Sequence, residues 1–286
     1  MEKKSRSVTA EGVAIQQTMH QILDAAPKIV DDPISPRLID TAGETYKSVA
    51  AYFESAGRSV RSPFRAVFIM RTRYTEDCLA ESLALGVRQY VILGAVLDTF
   101  AYRQPGWASA IQVFEVDHPA SQEWKRECLE AAKVKIPGNL TFAPINFEIT
   151  SLRDGLSAAD FDFRAPSFFS LLGVTQYLTA EAIESIFGFV QSLPGGSEIV
   201  FEIIVPDDLM PTEEASVFRA AASMSAERGE PWLTRLRPIE LITKLTAGGF
   251  SQVTHLSPEA ANDRYFRERS DDLAAWSAAQ MMRAIV

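Results

Sequence analysis

The run Gln89-Tyr90-Val91-Ile92-Leu93 stops at Gly94, and a second apolar run, Val113-Phe114-Glu115-Val116, ends in Asp117. A short apolar run with no polar alternation is the pattern of a strand buried on both faces, as in a parallel sheet. Gly94 removes the side chain where a ligand can approach backbone closely. Asp117 falls roughly twenty residues further on, where a ribose-binding carboxylate stands in a βαβ nucleotide site. A carboxylate there can accept both ribose hydroxyls in charge-assisted bonds. Spacing alone leaves two plainer readings open: a tight turn at Gly94 and a solvated strand-end acid at Asp117.

The rest of the pattern agrees with an α/β chain. Strands are expected at 89–94, 111–116, 140–145, 167–172 and 197–205, with helical stretches between most of them, and another at 250–256. Such alternation argues for a mostly parallel sheet with helices on both faces. Ahead of it, apolar positions at Val13, Ile15, Met19, Ile22, Leu23 and Ala26 predict an amphipathic helix over 8–30, stopped by Asp31-Asp32-Pro33. Further helices are expected over 42–56 and 64–86, and late in the chain over 238–247 and 258–282. Residues 1–88 therefore read as an N-terminal helical cap, and 89–286 as the nucleotide-binding domain, with a substrate-covering insertion at about 206–236. Glu202, Asp207 and Asp208, at the end of the 197–205 strand, read by default as solvated loop acids.

Composition narrows the function classes. The chain has 286 residues, 47% of them hydrophobic, enough to bury a full core. A net charge of −9 opposes binding to nucleic acid or an anionic membrane. No apolar run approaches the ~20 residues that span a bilayer, and no apolar segment follows the charged N-terminus to suggest a signal peptide. Cys78 and Cys128 are isolated and suit a reducing cytoplasm. His20 and His255 have no Cys or His nearby, so no metal site is expected.

Four ordered motifs then carry a family resemblance. Arg71-Thr72-Arg73-Tyr74-Thr75-Glu76-Asp77, the Gly94–Arg103 turn with Phe114-Glu115-Val116-Asp117-His118-Pro119, Phe168–Thr179, and Arg228-Gly229-Glu230-Pro231-Trp232 together resemble the leucine carboxyl methyltransferase-like family. Within it the chain is most similar to bacterial polyketide-type O-methyltransferases. The resemblance implies a class I methyltransferase fold, Rossmann-like, with a mostly parallel seven-stranded sheet. It implies S-adenosylmethionine as cofactor and a small-molecule acceptor whose oxygen is methylated, a carboxylate or a phenol or enol. It places Arg71 on the methionine carboxylate, and Gly94, Ala95 and Val96 against the methionine and ribose. Asp117 takes the ribose hydroxyls, with His118 on the cofactor side, and Asn146 and Phe147 stand at the adenine. Leu171 belongs to the cofactor wall; Leu172, Tyr177 and Tyr74 face the acceptor. No residue is assigned as a catalytic base.

Two positions depart from the family wording. Val96 stands where a second Gly is usual, and a β-branched residue disfavours positive φ. Asn146 stands where an Asp is usual; its amide oxygen can still accept a hydrogen bond from an adenine amino group. These departures motivate a rival reading, a methyltransferase fold that binds its small molecule without transferring methyl.

Overall fold

Alternate side chains of the strand Gln89–Leu93 enter opposite layers: Val91 and Leu93 join one apolar cluster, Tyr90 and Ile92 the other. The computed structural model, which describes residues 8–55, 58–146 and 150–286, repeats this division along the sheet. Helices α1 (Val8–Leu23), α2 (Ser35–Leu38), α3 (Glu44–Ser55) and α4 (Arg58–Ala84) precede β1 (Gln89–Leu93). Then come β2 (Gln112–Asp117), α5 (Pro119–Ala131), β3 (Leu140–Pro144), α6 (Leu152–Ser157), β4 (Ser167–Leu171), α7 (Ala180–Gln191) and β5 (Glu198–Ile204). The last elements are α8 (Thr212–Glu227), α9 (Pro238–Gly248), β6 (Gln252–Leu256), α10 (Pro258–Ala261) and β7 (Ala279–Ile285).

The strands form one seven-stranded sheet in the order β3-β2-β1-β4-β5-β7-β6, parallel except for β7. Phe114, Phe169 and Phe201 face the layer covered by α7, α8 and α9, through Ile186, Phe218 and Leu245. Val113, Phe168 and Val200 face the layer covered by α4, through Ile69, Met70 and Leu79. Helices therefore lie on both faces, and the sheet is of the expected kind. Among the described residues, no helix is long and apolar enough to cross a membrane.

Two stretches differ from the sequence expectation. Helix α1 ends at Leu23 instead of running to 30, because Asp24 is drawn into an interior network: its carboxylate accepts from Arg65 Nε at 2.8 Å and meets His20 Nδ1 at 2.7 Å. The stretch 258–282 is not one helix. After α10 comes a single π-turn, Asn262–Phe266, and the chain then enters β7 between β5 and β6. The Ala and Met residues of this stretch favour helix, but a slot between two strands supplies backbone partners on both sides: Met281 pairs with Glu202 and with Leu256. Tertiary pairing outweighs local propensity here.

One polar pair lies inside the α4 layer. Glu115 of β2 is fully buried, with Lys125 Nζ of α5 at 2.7 Å from its Oε2 and the Tyr102 hydroxyl donating at 3.3 Å. Burial pushes the Glu115 carboxyl up to about 7, with Lys125 pulling against that rise. Lys125→Met removes the opposing charge, so the folded-state pKa of Glu115 climbs further above its unfolded value. A carboxyl raised on folding loses stability as pH rises through that window. Urea unfolding of Lys125→Met is expected to show a loss of roughly 3–5 kcal/mol at pH 8, shrinking towards pH 5, where Glu115 protonates. An equal loss at both pH values would mean the charge of Glu115 plays no part.

Candidate functional site

The strand order reverses between β1 and β4, and ligands of open α/β sheets bind beyond the strand ends at such a switch point. A cleft of about 1930 Å³ lies there. Gly94 and Gly173 follow the ends of β1 and β4 and form part of its wall. Gly94 has φ of +77°, and a Cβ on it would stand 2.6 Å from Val174 Cγ2. Gly173 has φ of +67°, and a Cβ there would stand 2.5 Å from Arg71 Nη1. Both positions require glycine for conformation and for space.

Asp117, the last residue of β2, is held rigidly at the cleft. Its Oδ2 accepts from Val96 N and its Oδ1 from His118 N, each at 2.7 Å. An ionised carboxylate has about four acceptor positions, so two backbone bonds leave room for two ligand hydroxyls. The imidazole of His118 caps α5, accepting from Ala120 N at 3.2 Å, which marks it as a structural group beside the site. Val96 does have positive φ, at +25°, as the Gly of related sequences would. Its half-buried side chain packs against the apolar cluster that holds Ala14, Ile15, Leu97 and Trp124, and the residue also lines the cleft.

Arg71 projects from α4 into the cleft, and its Nη1 lies 2.7 Å from Glu202 Oε2. The guanidinium has two further nitrogens with which to bind a carboxylate. Glu202, on β5, is buried on the cleft wall and is no solvated loop acid. Asp207 and Asp208 are also not free: Asp207 pairs with Arg219 and Arg235, and Asp208 with Arg237, fastening the segment after β5 to itself.

The cleft also gathers Ala95, Asn146, Leu171, Leu172 and Tyr177. Phe147 lies outside the described residues. Tyr74 does not belong to the cleft. It sits one turn beyond the cleft-facing residues Phe68, Arg71 and Thr72, packed with Cys78 in the α4 layer under the guanidinium of Arg264, 5.7 Å from its ring centre. Burial pushes the Tyr74 phenol far above its usual range and the Cys78 thiol up to about 12. Tyr74 is a core residue, and its place in a motif with Arg71 does not carry it to the ligand.

Asp98, Glu202 and Gly173 are among the cleft residues that the sequence reading did not assign to the site. Asp98 follows Val96 and Leu97 on the same turn and accepts from Phe100 N at 2.8 Å. Glu202 was seen but set down as solvated. Gly173 lies inside the Phe168–Thr179 motif, where its spacing after an apolar strand repeats that of Gly94.

The family model for leucine carboxyl methyltransferase matches residues 10–191. A Bacillus subtilis (strain 168) protein, provisionally named S-adenosyl-L-methionine-dependent methyltransferase YktD, is 33% identical over 306 residues, spanning 100% of this chain and 99% of its own length. A Mycobacteroides abscessus protein with a provisional name of the same kind is 29% identical over 228 residues, covering 78% of this chain and 70% of its own. A solved structure from Thermobifida fusca YX, provisionally assigned as a methyltransferase, superposes with a TM-score of 0.59 at 16% identity, covering 96% of this chain and 93% of that one. That likeness shows the fold.

The turn after β1 gives a direct test of the glycine argument. Gly94→Ala is expected to cost roughly 1–3 kcal/mol in urea unfolding, from backbone strain and the collision with Val174. In a Val174→Ala background the cost of Gly94→Ala should fall but not vanish, because φ is unchanged. A cost that disappears there would assign the whole effect to the collision.

Proposed function

Because the chain belongs to the leucine carboxyl methyltransferase family, we propose that its cleft transfers a methyl group from S-adenosylmethionine to an oxygen atom of a small molecule. The observation that carries this reading is the grouping of Arg71, Gly94 and Asp117 on one cleft at the sheet's switch point. These residues fit the cofactor's chemistry part by part. Its carboxylate matches the planar fork of Arg71, which Glu202 holds in place. Asp117 would hold its ribose hydroxyls, and Asn146, Ile145 and Leu152, which line the same cleft, would take its adenine. Gly94 leaves backbone bare between the two ends.

The bound cofactor supplies an electrophilic methyl: as the acceptor oxygen forms its bond to that carbon, the carbon–sulfur electron pair stays on sulfur. The protein's share of the work is alignment and exclusion of water. Leu171, Leu172, Leu178, Phe189 and Phe218 line the cleft with apolar surface, which suits a flat, polyketide-like acceptor. Helix α1 and the segment at about 206–236 act as the cover, because both contribute to the cleft wall from outside the sheet. A carboxylate acceptor is already a nucleophile at neutral pH; a phenol or enol releases its proton during or before the transfer. The cytoplasm is the compartment this reading assigns.

Val96 leaves the arrangement around Asp117 in place, since its N–H still serves that carboxylate, and this supports cofactor binding despite the departure from the family wording. Calorimetric titration with S-adenosylhomocysteine tests the cofactor assignment. Asp117→Ala should weaken binding by roughly 1.5–3 kcal/mol, about tenfold to more than a hundredfold. Unchanged affinity would remove Asp117 from the site. Arg71→Lys should weaken S-adenosylhomocysteine but leave adenosine, which has no carboxylate, bound as before. Equal losses for both ligands would place Arg71 elsewhere.

A further inference from the structure

The acceptor end of the cleft contains polar groups that the protein itself leaves unsatisfied. On α1, Thr9, Ala10, Val13, Gln16 and Gln17 recur at helical spacing along the cleft wall. Gln16 is only 1% exposed, and among the described residues neither its Nε2 nor its Oε1 has a hydrogen-bond partner. Because both atoms are unpartnered, the conclusion does not depend on which way the amide is turned. Trp232 Nε1, Tyr177 Oη and Gln176 Oε1 are buried cleft atoms in the same condition.

These groups belong to one wall. Leu233 N and Thr234 N donate to Gln176 O at 2.6 and 3.2 Å, which joins the Trp232 segment to the turn bearing Tyr177. Thr9 Oγ1 donates to the carboxylate of Glu230, which joins the same segment to α1. Buried polar groups ordinarily find partners, and these four are gathered on residues that line one cleft. A ligand is the natural source of the missing bonds.

All four groups are uncharged. The cations that line the cleft are of a different kind from these groups: Arg71 is paired with Glu202, while Arg153, which donates to Ser192 Oγ at 2.9 Å, and Arg228, at the end of α8, are exposed to solvent. Glu230, on the wall itself, is an acid. An anionic acceptor buried against these four groups would meet no charge of opposite sign among them. A planar amide such as Gln16 is complementary to a group that carries a carbonyl beside an N–H or O–H.

We infer that this wall recognises an uncharged acceptor through a carboxamide or hydroxycarbonyl edge, read by Gln16 with Trp232 and Tyr177 beside it, and that it rejects free carboxylates. The inference rests on the cofactor reading for its role in methyl transfer, but the subsite itself is tested separately. Salicylamide and salicylate make a matched pair of probes that share a ring and a hydroxyl and differ in charge. Their affinities are measured by ligand-observed NMR and titration, with the full chain saturated with S-adenosylhomocysteine.

Salicylamide is expected to bind at least tenfold more tightly than salicylate. Gln16→Leu should weaken salicylamide at least fivefold without changing S-adenosylhomocysteine affinity, and Trp232→Phe should act in the same direction. Without any ligand, Gln16→Leu should raise the melting temperature, because leucine has no buried polar atoms to satisfy. Equal probe affinities, no salicylamide binding at millimolar concentration, salicylamide affinity indifferent to Gln16→Leu, or a lowered melting temperature would each overturn the inference. Failure of S-adenosylhomocysteine to bind would instead overturn the cofactor reading; the melting temperature of Gln16→Leu then still decides whether the wall is built for a ligand.

Discussion

The ion pair between Arg71 and Glu202 fixes the relation between the helical N-terminal part and the sheet. It joins α4 to β5 at the strand ends, through a passage that stays open because residue 173 has no side chain. Removing two charges from water costs several kcal/mol per ion, so the pair is better understood as a positioning device than as a source of stability. What it positions is considerable. Phe64, Val67 and Phe68 reach the cleft from the same helix, and α1 is tied to that helix by Arg65, Asp24 and His20. A displacement of α4 would therefore move Arg71 and the part of the cleft lined by α1 together.

The turn after β1 performs a similar linking task on a smaller scale. Val96 gives its N–H to Asp117 and its half-buried side chain to the apolar cluster that holds Ala14, Ile15, Leu97 and Trp124. A glycine there would supply the first contact and not the second. The departure from the family wording thus adds an apolar contact at the turn that holds Asp117. Positive φ at a β-branched residue is strained backbone, of the kind that clusters at sites of function.

Much of this was legible in the residues. The apolar runs located five parallel strands to within a residue or two, since a strand buried on both faces leaves an uninterrupted signature. Gly94 and Asp117 were legible because their chemistry is tied to chain spacing. Tyr74 was misread because a motif records neighbours in sequence, and one further helical turn took it from the cleft into the core. Glu202 was misjudged for the opposite reason: its partner, Arg71, is remote in sequence, so nothing local reveals that it is buried. The tail was misread because Ala-rich and Met-rich composition speaks for helix, whereas the open slot in the sheet belongs to the tertiary fold. The unsatisfied amide of Gln16 had no sequence signal at all, because satisfaction is a property of the surrounding atoms.

The position of β7 has a consequence for how the molecule comes into being. It lies between β5 and β6 although it follows both in the chain. While the protein is being synthesised, the parallel strands can pair as they emerge, but β6 has no neighbour in the sheet until β7 arrives. The wall of β5 that carries Glu202 is likewise an open edge over that interval, exposed to pairing with other chains. β7 therefore closes the edge of β5 and takes β6 into the sheet in a single step, after both have been made.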